Sequence, residues 1–292
     1  NLTNDFHFDT EIIIKLHHQN FRIVEVPIPT FYGDEICYVN GLKYAKAIVR
    51  AVNRYHATAR SVRSYPEYQE YFVPYAVKRS LFSCHYFAAR LVGTDQRVLE
   101  VGCGDGSFGA ELARAGNQVV GVDNHPNVPL SAGYTNVLTA DLERGLGDAA
   151  NSGQPYDRIL VLDTLEHLRD ANALLEDCKK ILAARGKMLV SVPNAVNLTV
   201  RLMILLGRFH YNERGILDWS HLRFFTAKSI RELLQKHGFH VTARRDTIMP
   251  LERVVALRPD SRFLRAANWM LRALTAVAPG LFAYEILLVA EH

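Results

Sequence analysis

The 292-residue chain contains little cysteine, little net charge and no long apolar run. Its four cysteines are widely separated, and their spacing matches neither a metal site nor a redox motif, so we expect reduced thiols and no bound metal. No run reaches the roughly 18 apolar residues that a membrane span requires. A net charge of +4 is too small to indicate nucleic acid as a partner. We therefore expect a cytoplasmic protein with one large domain and a smaller piece, since a domain takes about 100–200 residues.

Three glycines at alternate positions follow a short apolar run. The run, from Arg97 to Val101, predicts a buried strand, and the apolar spacing after the turn predicts a helix. The glycines are Gly102, Gly104 and Gly106. A turn without Cβ atoms between a strand and a helix lets the backbone approach a nucleotide-like ligand closely. The pattern therefore predicts a site for a nucleoside cofactor.

Acids beside this turn indicate which cofactor fits. A second predicted strand, Gln118 to Val122, ends in Asp123, where this topology places a carboxylate that accepts hydrogen bonds from ribose. A dinucleotide fingerprint would have its last glycine at Ser107. Glu100, just before the turn, would repel a pyrophosphate but would suit an ammonium group. S-adenosylmethionine carries a ribose, an amino acid head and no phosphate, so it is the predicted cofactor.

The segment from Glu100 to Gly106 resembles the first motif of the class I methyltransferases. The resemblance implies a Rossmann-like, doubly wound α/β fold with seven mostly parallel strands, here with an α/β extension at the N-terminus. It also implies that residues at the carboxyl ends of the first four strands bind S-adenosylmethionine. These residues are Glu100, Gly102, Cys103, Gly104, Gly106, Asp123, Asn124, Asp141, Leu142 and Asp163.

Further strands and helices alternate along the chain, as a parallel sheet requires. Residues 136–141 and 156–163 predict the third and fourth strands, and each ends in an acid. A helix is predicted from Asn172 to Ala184 with Arg185–Gly186 as its C-cap, and Lys187–Val192 predicts the fifth strand. Ligands of such sheets bind beyond the carboxyl ends of the strands. The four acids are therefore expected to surround one cleft.

The N-terminal stretch resembles a different family. Phe8–Lys15 begins a predicted helix that ends at Asn20, and Phe21–Pro29 predicts a strand closed by prolines. Together with Val39–Ala45, this stretch resembles the C-terminal end of family 2 glycosyltransferases that act on polyprenyl phosphates, in which an acid at the position of Asp9 lies near the acceptor. The nucleotide-sugar strands and the D-x-D metal motif of that family are missing. We expect an incomplete remnant of a bifunctional protein that cannot transfer sugar.

Three segments are expected: a glycosyltransferase remnant at residues 1–56, a helical connector or lid at 57–95, and a methyltransferase domain at 96–292. Within the connector, Val77–Leu91 has helical periodicity. Candidate lid residues are Tyr71, Tyr75, Lys78 and His85, although aromatic residues at such spacing also pack as core.

A long connection from Asn194 to Thr226 is expected to carry substrate specificity, because connections of this length are usually functional. Leu198–Phe209 predicts a short helix inside it, and Thr226 is the predicted N-cap of the next helix, which ends at Gly238. The polar and aromatic part from His210 onward resembles a signature of methyltransferases found beside glycosyltransferases in bacterial polysaccharide and glycolipid loci.

Two histidines are the candidate catalytic residues. His221 lies in this connection and His167 follows the fourth strand. Methyl transfer to a hydroxyl needs an aligned acceptor and a group that takes the proton, and a histidine with an unperturbed pKa of ~6.5 suits the second task. His221 is the first candidate, and a structural role is the alternative for both.

Three functions remain open from the sequence alone. The first is a methyltransferase that O-methylates a sugar or glycolipid acceptor; the second is a small-molecule methyltransferase of the quinone or natural-product type. The third is a non-catalytic cofactor-binding module that serves the glycosyltransferase. Basic amphipathic patterns near residues 42–54 and 262–272 predict peripheral contact with the inner face of the plasma membrane. The sequence does not indicate an oligomeric state.

Overall fold

The computed structural model describes residues 8–19, 21–24, 26–27, 29, 40–59, 65, 67–68, 77–78, 80–151, 153–212, 214–251 and 261–292. The chain forms two compact units. The first comprises Asn1–Ala76 with Glu252–Arg258, and the second comprises Val77–Leu251 with Pro259–His292.

The described residues of the first unit include two helices, α1 (Phe8–His18) and α2 (Gly41–Ala59). Helix α1 has acids in its first turn and basic residues in its last turn, which suits the helix dipole. The strand predicted over Phe21–Pro29 is wrong for the described residues of that segment, which belong to no strand. Val24 and Val26 are 63% and 74% exposed, and a strand without a paired neighbour is not stable in water.

The second unit is built on a seven-stranded sheet. Its strands are β1 (Arg97–Val101), β2 (Gln118–Asp123), β3 (Asn136–Thr139), β4 (Tyr156–Leu162), β5 (Leu182–Pro193), β6 (His240–Asp246) and β7 (Glu285–Glu291). They lie in the order β3-β2-β1-β4-β5-β7-β6. The first five strands run parallel, and β7 pairs antiparallel with both β5 and β6. This sheet confirms the predicted Rossmann-like α/β fold.

Helices cover both faces of the sheet. The described helices of this unit are α3 (Cys84–Val92), α4 (Ser107–Arg114), α5 (Asn172–Ile181), α6 (Leu198–Leu205), α7 (Ala227–Lys236), α8 (Arg262–Val277) and α9 (Pro279–Phe282). Alternate residues of each strand point to opposite faces, so the apolar strand residues contribute to two buried layers, one on each face of the sheet. Helices α5 and α7 pack in the layer that contains Leu99, whereas α3 and α4 pack in the layer that contains Val98.

The fifth strand begins earlier than its predicted start. The helix predicted over Asn172–Ala184 ends at Ile181, because Leu182 already pairs with Tyr156 of β4. The predicted C-cap, Arg185–Gly186, therefore lies inside strand β5. The glycine predicted the end of a helix, but pairing with β4 determines the conformation here. Tertiary contacts commonly outweigh local sequence preferences in this way.

Two predicted helices are shorter in the structure. Among its described residues, the periodic stretch 77–91 is helical only from Cys84, because Phe82 has a positive φ of 69° and Ser83 caps the helix by accepting a bond from the Tyr86 amide at 3.2 Å. The helix predicted over Leu198–Phe209 ends at Leu205, shortly before a glycine with a φ of 66°. By contrast, the predicted cap at Thr226 is confirmed, since its side chain accepts from the Ser229 amide at 3.1 Å.

Candidate active site

The glycine turn joins β1 to α4 at the carboxyl edge of the sheet. All three glycines have positive φ, namely 79° at Gly102, 52° at Gly104 and 72° at Gly106, a backbone region that other residues seldom adopt. A Cβ added at Gly102 would lie 2.6 Å from the Thr164 hydroxyl oxygen, and one at Gly106 would lie 2.7 Å from a Val128 methyl group. A Cβ at Gly104 would meet no atom within 4 Å among the described residues. Protein packing thus requires two of the glycines, and Gly104 borders open space where a ligand can approach the backbone.

Asp123, the last residue of β2, lies directly beside this turn. One carboxylate oxygen accepts from the Gly104 amide at 2.9 Å, and the other accepts from the His125 amide at 2.9 Å. These bonds fix the direction of the carboxylate, and each oxygen keeps a lone pair for a further donor. The position and orientation therefore fit a group that accepts from ribose hydroxyls.

The loops after β2 and β3 are tied together. The Asn124 side-chain oxygen accepts from the Leu142 amide at 3.1 Å, and the Leu142 side chain is 5% exposed in the core. Asp141 is half exposed, accepts from the Glu143 amide at 3.1 Å and lies 3.4 Å from the Arg144 guanidinium. Asp141 therefore remains accessible at the carboxyl edge, whereas the Leu142 side chain is buried and its amide is bonded to Asn124.

Glu100 and Cys103 lie beneath the turn and are buried. Strand alternation points Glu100 toward α4, where its carboxylate accepts a short hydrogen bond from the Tyr134 hydroxyl and lies against Gly109. Burial raises the pKa of Glu100 to about 7, although the bond from Tyr134 opposes the shift. Burial likewise raises the pKa of the Cys103 thiol to about 12. The structure surrounds the Glu100 carboxylate with protein groups, so its predicted contact with a cofactor ammonium has no support in this geometry.

Asp163 follows β4 and takes part in a buried charge network. Its backbone has a positive φ of 49°, and its carboxylate accepts from the Lys78 ammonium at 2.5 Å and from the Ser191 hydroxyl at 2.7 Å. The same ammonium also donates a short bond to Glu285 of β7. Burial alone would raise the pKa of Asp163, but Lys78 and Ser191 outweigh it and lower the pKa to about 2. Asp163 is therefore an ionised, fixed acceptor at the carboxyl edge.

The two predicted catalytic histidines lie side by side. The rings of His167 and His221 meet edge to face, with 4.9 Å between their centroids. His221 is 9% exposed, and its Nδ1 lies 3.0 Å from the Ile216 carbonyl oxygen. The Nδ1 of His167 lies 3.3 Å from the Ser220 carbonyl oxygen. Burial lowers the pKa of His221, so its neutral imidazole is favoured.

Glu166 completes this group and was not predicted from the sequence. It is 1% exposed, and among the described residues neither of its carboxylate oxygens has a hydrogen-bond partner. Burial raises the pKa of Glu166 well above its ordinary range. Its backbone carbonyl accepts from the Leu222 and Arg223 amides at 2.8 and 3.0 Å, which docks the long connection onto the turn after β4. That docking brings His221 to His167.

The group formed by Glu166, His167 and His221, called the histidine cluster below, lies beside the glycine turn. Thr164, at the start of the turn that carries His167, donates its hydroxyl to the Val101 carbonyl at 3.2 Å and contacts the position that a Cβ on Gly102 would take. The predicted cofactor residues and the predicted catalytic histidines thus lie on adjacent loops of the same sheet edge. Of the lid candidates, Tyr71 and Tyr75 lie outside the described residues.

A family model described as a methyltransferase domain matches residues 68–244, which is more than half of the chain. The chain belongs to this methyltransferase domain family. The domain is of class I, and its cofactor is S-adenosylmethionine. The match begins at residue 68, so the resemblance of the first 56 residues to glycosyltransferases stays a prediction.

Curated relatives of this methyltransferase domain include two ubiquinone biosynthesis O-methyltransferases. The protein from Cereibacter sphaeroides (strain ATCC 17029) is 28% identical over 158 residues, which is 52% of this chain and 63% of that protein. The protein from Dinoroseobacter shibae is 30% identical over 149 residues, which is 49% of this chain and 59% of that protein. The chain therefore spans less than two thirds of the length of these relatives.

Solved structures with a similar fold are more distant in sequence. A SAM-dependent methyltransferase from Archaeoglobus fulgidus is 19% identical with a TM-score of 0.45, covering 72% of this chain and 95% of that one. Magnesium protoporphyrin IX methyltransferase from Synechocystis, solved with bound SAH, is 19% identical with a TM-score of 0.42, covering 71% of this chain and 78% of that one.

Proposed function

We propose that this protein is an S-adenosylmethionine-dependent O-methyltransferase whose acceptor is a hydroxyl of a sugar or of a lipid-linked glycan. The observation that carries this proposal is that His167, on the turn after β4, and His221, in the long connection, lie side by side on loops that adjoin the glycine turn. A cleft that joins a cofactor turn to the neutral imidazole of His221 suits an acceptor that must lose a proton when it is methylated.

The fit of the cofactor rests on two features of the turn. The open side of Gly104 leaves room for a ligand against the backbone, and Asp123 is oriented beside it to accept from ribose hydroxyls. When bound, S-adenosylmethionine supplies a methyl group on a positively charged sulfur. The protein then has to align the acceptor oxygen, and alignment of this kind is worth ~7–11 kcal/mol of barrier.

His221 is the residue proposed to take the proton from the acceptor. Its Nδ1 lies against the Ile216 carbonyl, which can only accept a hydrogen bond, so the neutral ring carries its proton on Nδ1. The Nε2 lone pair is then available for the hydroxyl proton as the new C–O bond forms. General base catalysis typically contributes about 10²–10⁴-fold. His167 packs on His221 and holds the ring in place, with proton transfer as its alternative role.

The choice of acceptor comes from the N-terminal resemblance to glycosyltransferases that act on polyprenyl phosphates. A second candidate is a small-molecule hydroxyl, such as that of a phenolic quinone precursor. It is favoured by the names of the curated relatives, which are ubiquinone biosynthesis O-methyltransferases. Both candidates use the same cofactor turn and the same histidines.

Peripheral contact with a membrane belongs to the same proposal. None of the described helices combines the length and the apolar character needed to cross a bilayer. Helix α8 exposes apolar side chains beside its arginines: Phe263 is 72% exposed, Trp269 60% and Met270 60%. In the first unit, α2 leaves Leu42 86% exposed. Basic residues and exposed aromatic anchors favour anionic headgroups.

Methyl transfer from labelled S-adenosylmethionine tests the proposal. We expect label in a lipid-linked glycan extract and none in phenolic acceptors. Transfer to phenols alone would replace the proposed acceptor by the second candidate. Cofactor binding without transfer to either pool would contradict the enzymatic proposal and favour a cofactor-binding module.

A further inference from the structure

The carboxylate of Glu166 is buried in an unusual way. The side chain is 1% exposed, and among the described residues neither oxygen has a hydrogen-bond partner. Burying a carboxylate without compensation is costly, so such groups are normally paired or coordinate a metal. His167 and His221 lie close to this carboxylate: one ligand atom from each of the three residues lies within 4.8 Å of the other two.

The two histidines are prepared as ligands by their backbone contacts. Each Nδ1 faces a carbonyl oxygen, at 3.3 Å for His167 and at 3.0 Å for His221. A carbonyl only accepts, so the proton of each neutral ring resides on Nδ1 and the lone pair resides on Nε2. Metal-ligating histidines show this arrangement, in which the second ring nitrogen donates to a carbonyl or carboxylate and fixes the tautomer and the ring orientation.

We propose that Glu166, His167 and His221 form a binding site for a divalent first-row transition-metal cation. Two imidazoles and one carboxylate suit Zn²⁺, Mn²⁺ or Co²⁺ and disfavour Mg²⁺, which prefers oxygen ligands. Ligand atoms at about 2.0–2.2 Å from one ion lie at most about 4.4 Å apart, so small side-chain rotations close the present cluster. Three protein ligands leave further positions open, which is typical of catalytic metal sites.

The chemistry that the cation supplies rests on the proposed function. A hydroxyl bound at an open position loses its proton more readily, because the cation acts as a Lewis acid. The proton passes to water, the acceptor oxygen forms its bond to the methyl carbon, and the carbon–sulfur bond breaks to leave neutral S-adenosylhomocysteine. With the cation bound, His221 holds the metal through Nε2 and water takes the proton in its place.

The site is tested by Co²⁺ titration of chelator-treated, tag-free protein, followed by visible absorption. We expect one Co²⁺ per chain in the wild type. Glu166→Gln keeps the shape of the side chain, and His221→Asn keeps a donor toward the Ile216 carbonyl; both should weaken Co²⁺ binding at least tenfold. The matched controls Glu176→Gln and His210→Asn change exposed residues and should bind as the wild type does. S-adenosylhomocysteine affinity, measured on every variant, reports whether the fold and cofactor site are intact.

The outcomes separate the metal site from the proposed function. Absence of a stoichiometric site, or equal Co²⁺ affinity in Glu166→Gln, overturns the metal site, and methyl transfer by chelator-treated protein would then leave the proposed function standing. Stoichiometric binding that both variants lose supports the site even if no acceptor is methylated, and the missing turnover would count against the proposed function alone.

Discussion

Replacement of Gly104 by alanine should separate cofactor binding from folding. The residue has a φ of 52°, so a residue with a Cβ at this position must adopt the left-handed backbone region. That conformation lowers the free energy of unfolding by roughly 1–2 kcal/mol. No described atom lies within 4 Å of the added Cβ, so no clash adds to that cost. The methyl group instead fills the open space where we place the cofactor and keeps it from the backbone.

The expected loss of affinity for S-adenosylmethionine is at least tenfold, which corresponds to about 1.4 kcal/mol. Gly153 provides a matched control, because it has a φ of 70°, meets no described atom within 4 Å and lies before β4, at the opposite end of the strand from the site. Gly153→Ala should lose the same stability and keep wild-type affinity. Calorimetric titration and denaturant unfolding of both variants measure the two quantities. Equal cofactor affinity in Gly104→Ala and the wild type would refute the placement of the cofactor.

Three further predictions follow from buried and exposed groups. The pKa of Glu100 is about 7 in the folded protein and 4.5 in the unfolded chain, so the native state binds an extra proton. The wild type should therefore lose about 3 kcal/mol of the free energy of unfolding as the pH rises from about 4.5 to 8. Glu100→Gln should remove that loss, and parallel stability profiles of the two proteins over this pH range would contradict the burial argument. Lys78→Met leaves the buried Glu285 and the partly buried Asp163 without their cation and should cost about 3–5 kcal/mol of the free energy of unfolding. Lys180→Met, at an exposed ion pair, should leave denaturant unfolding nearly unchanged. Sedimentation with anionic liposomes at low salt should fall when the exposed Phe263 and Met270 are both changed to serine, and a wild type that stays in the supernatant would exclude surface binding.

Local sequence signals predict the parts of the fold that depend on neighbouring residues. The strand, the glycine turn and Asp123 lie within 27 positions of one another in a regular alternation of strand and helix, so periodicity and position place them correctly. Adjacent parallel strands then bring their terminal acids to one edge without further information. The cap at Thr226 is likewise a local feature, and the structure confirms it.

Contacts between residues that are far apart in the sequence cannot be predicted from such local signals. Lys78 and Glu285 are separated by 207 positions, and only the insertion of β7 between β5 and β6 brings them together. The start of β5 at Leu182 depends on pairing with β4, which no cap signal reports. Glu166 lies four residues after the end of β4 and immediately precedes His167, and that adjacency was the available signal for it. Its contact with His221 depends on how the long connection docks.

The most direct test of the account is transfer of a deuterated methyl group from S-adenosylmethionine, with mass spectrometry of the product and cofactor affinity measured on the same samples. We predict an O-methyl ether on a lipid-linked glycan with the wild type and with His240→Asn, which changes an exposed histidine at the start of β6. His221→Asn should form it about 10²-fold more slowly while its cofactor affinity stays unchanged. A methyl group found on nitrogen or carbon, or equal rates in the wild type and His221→Asn, would contradict hydroxyl methylation at the histidine cluster.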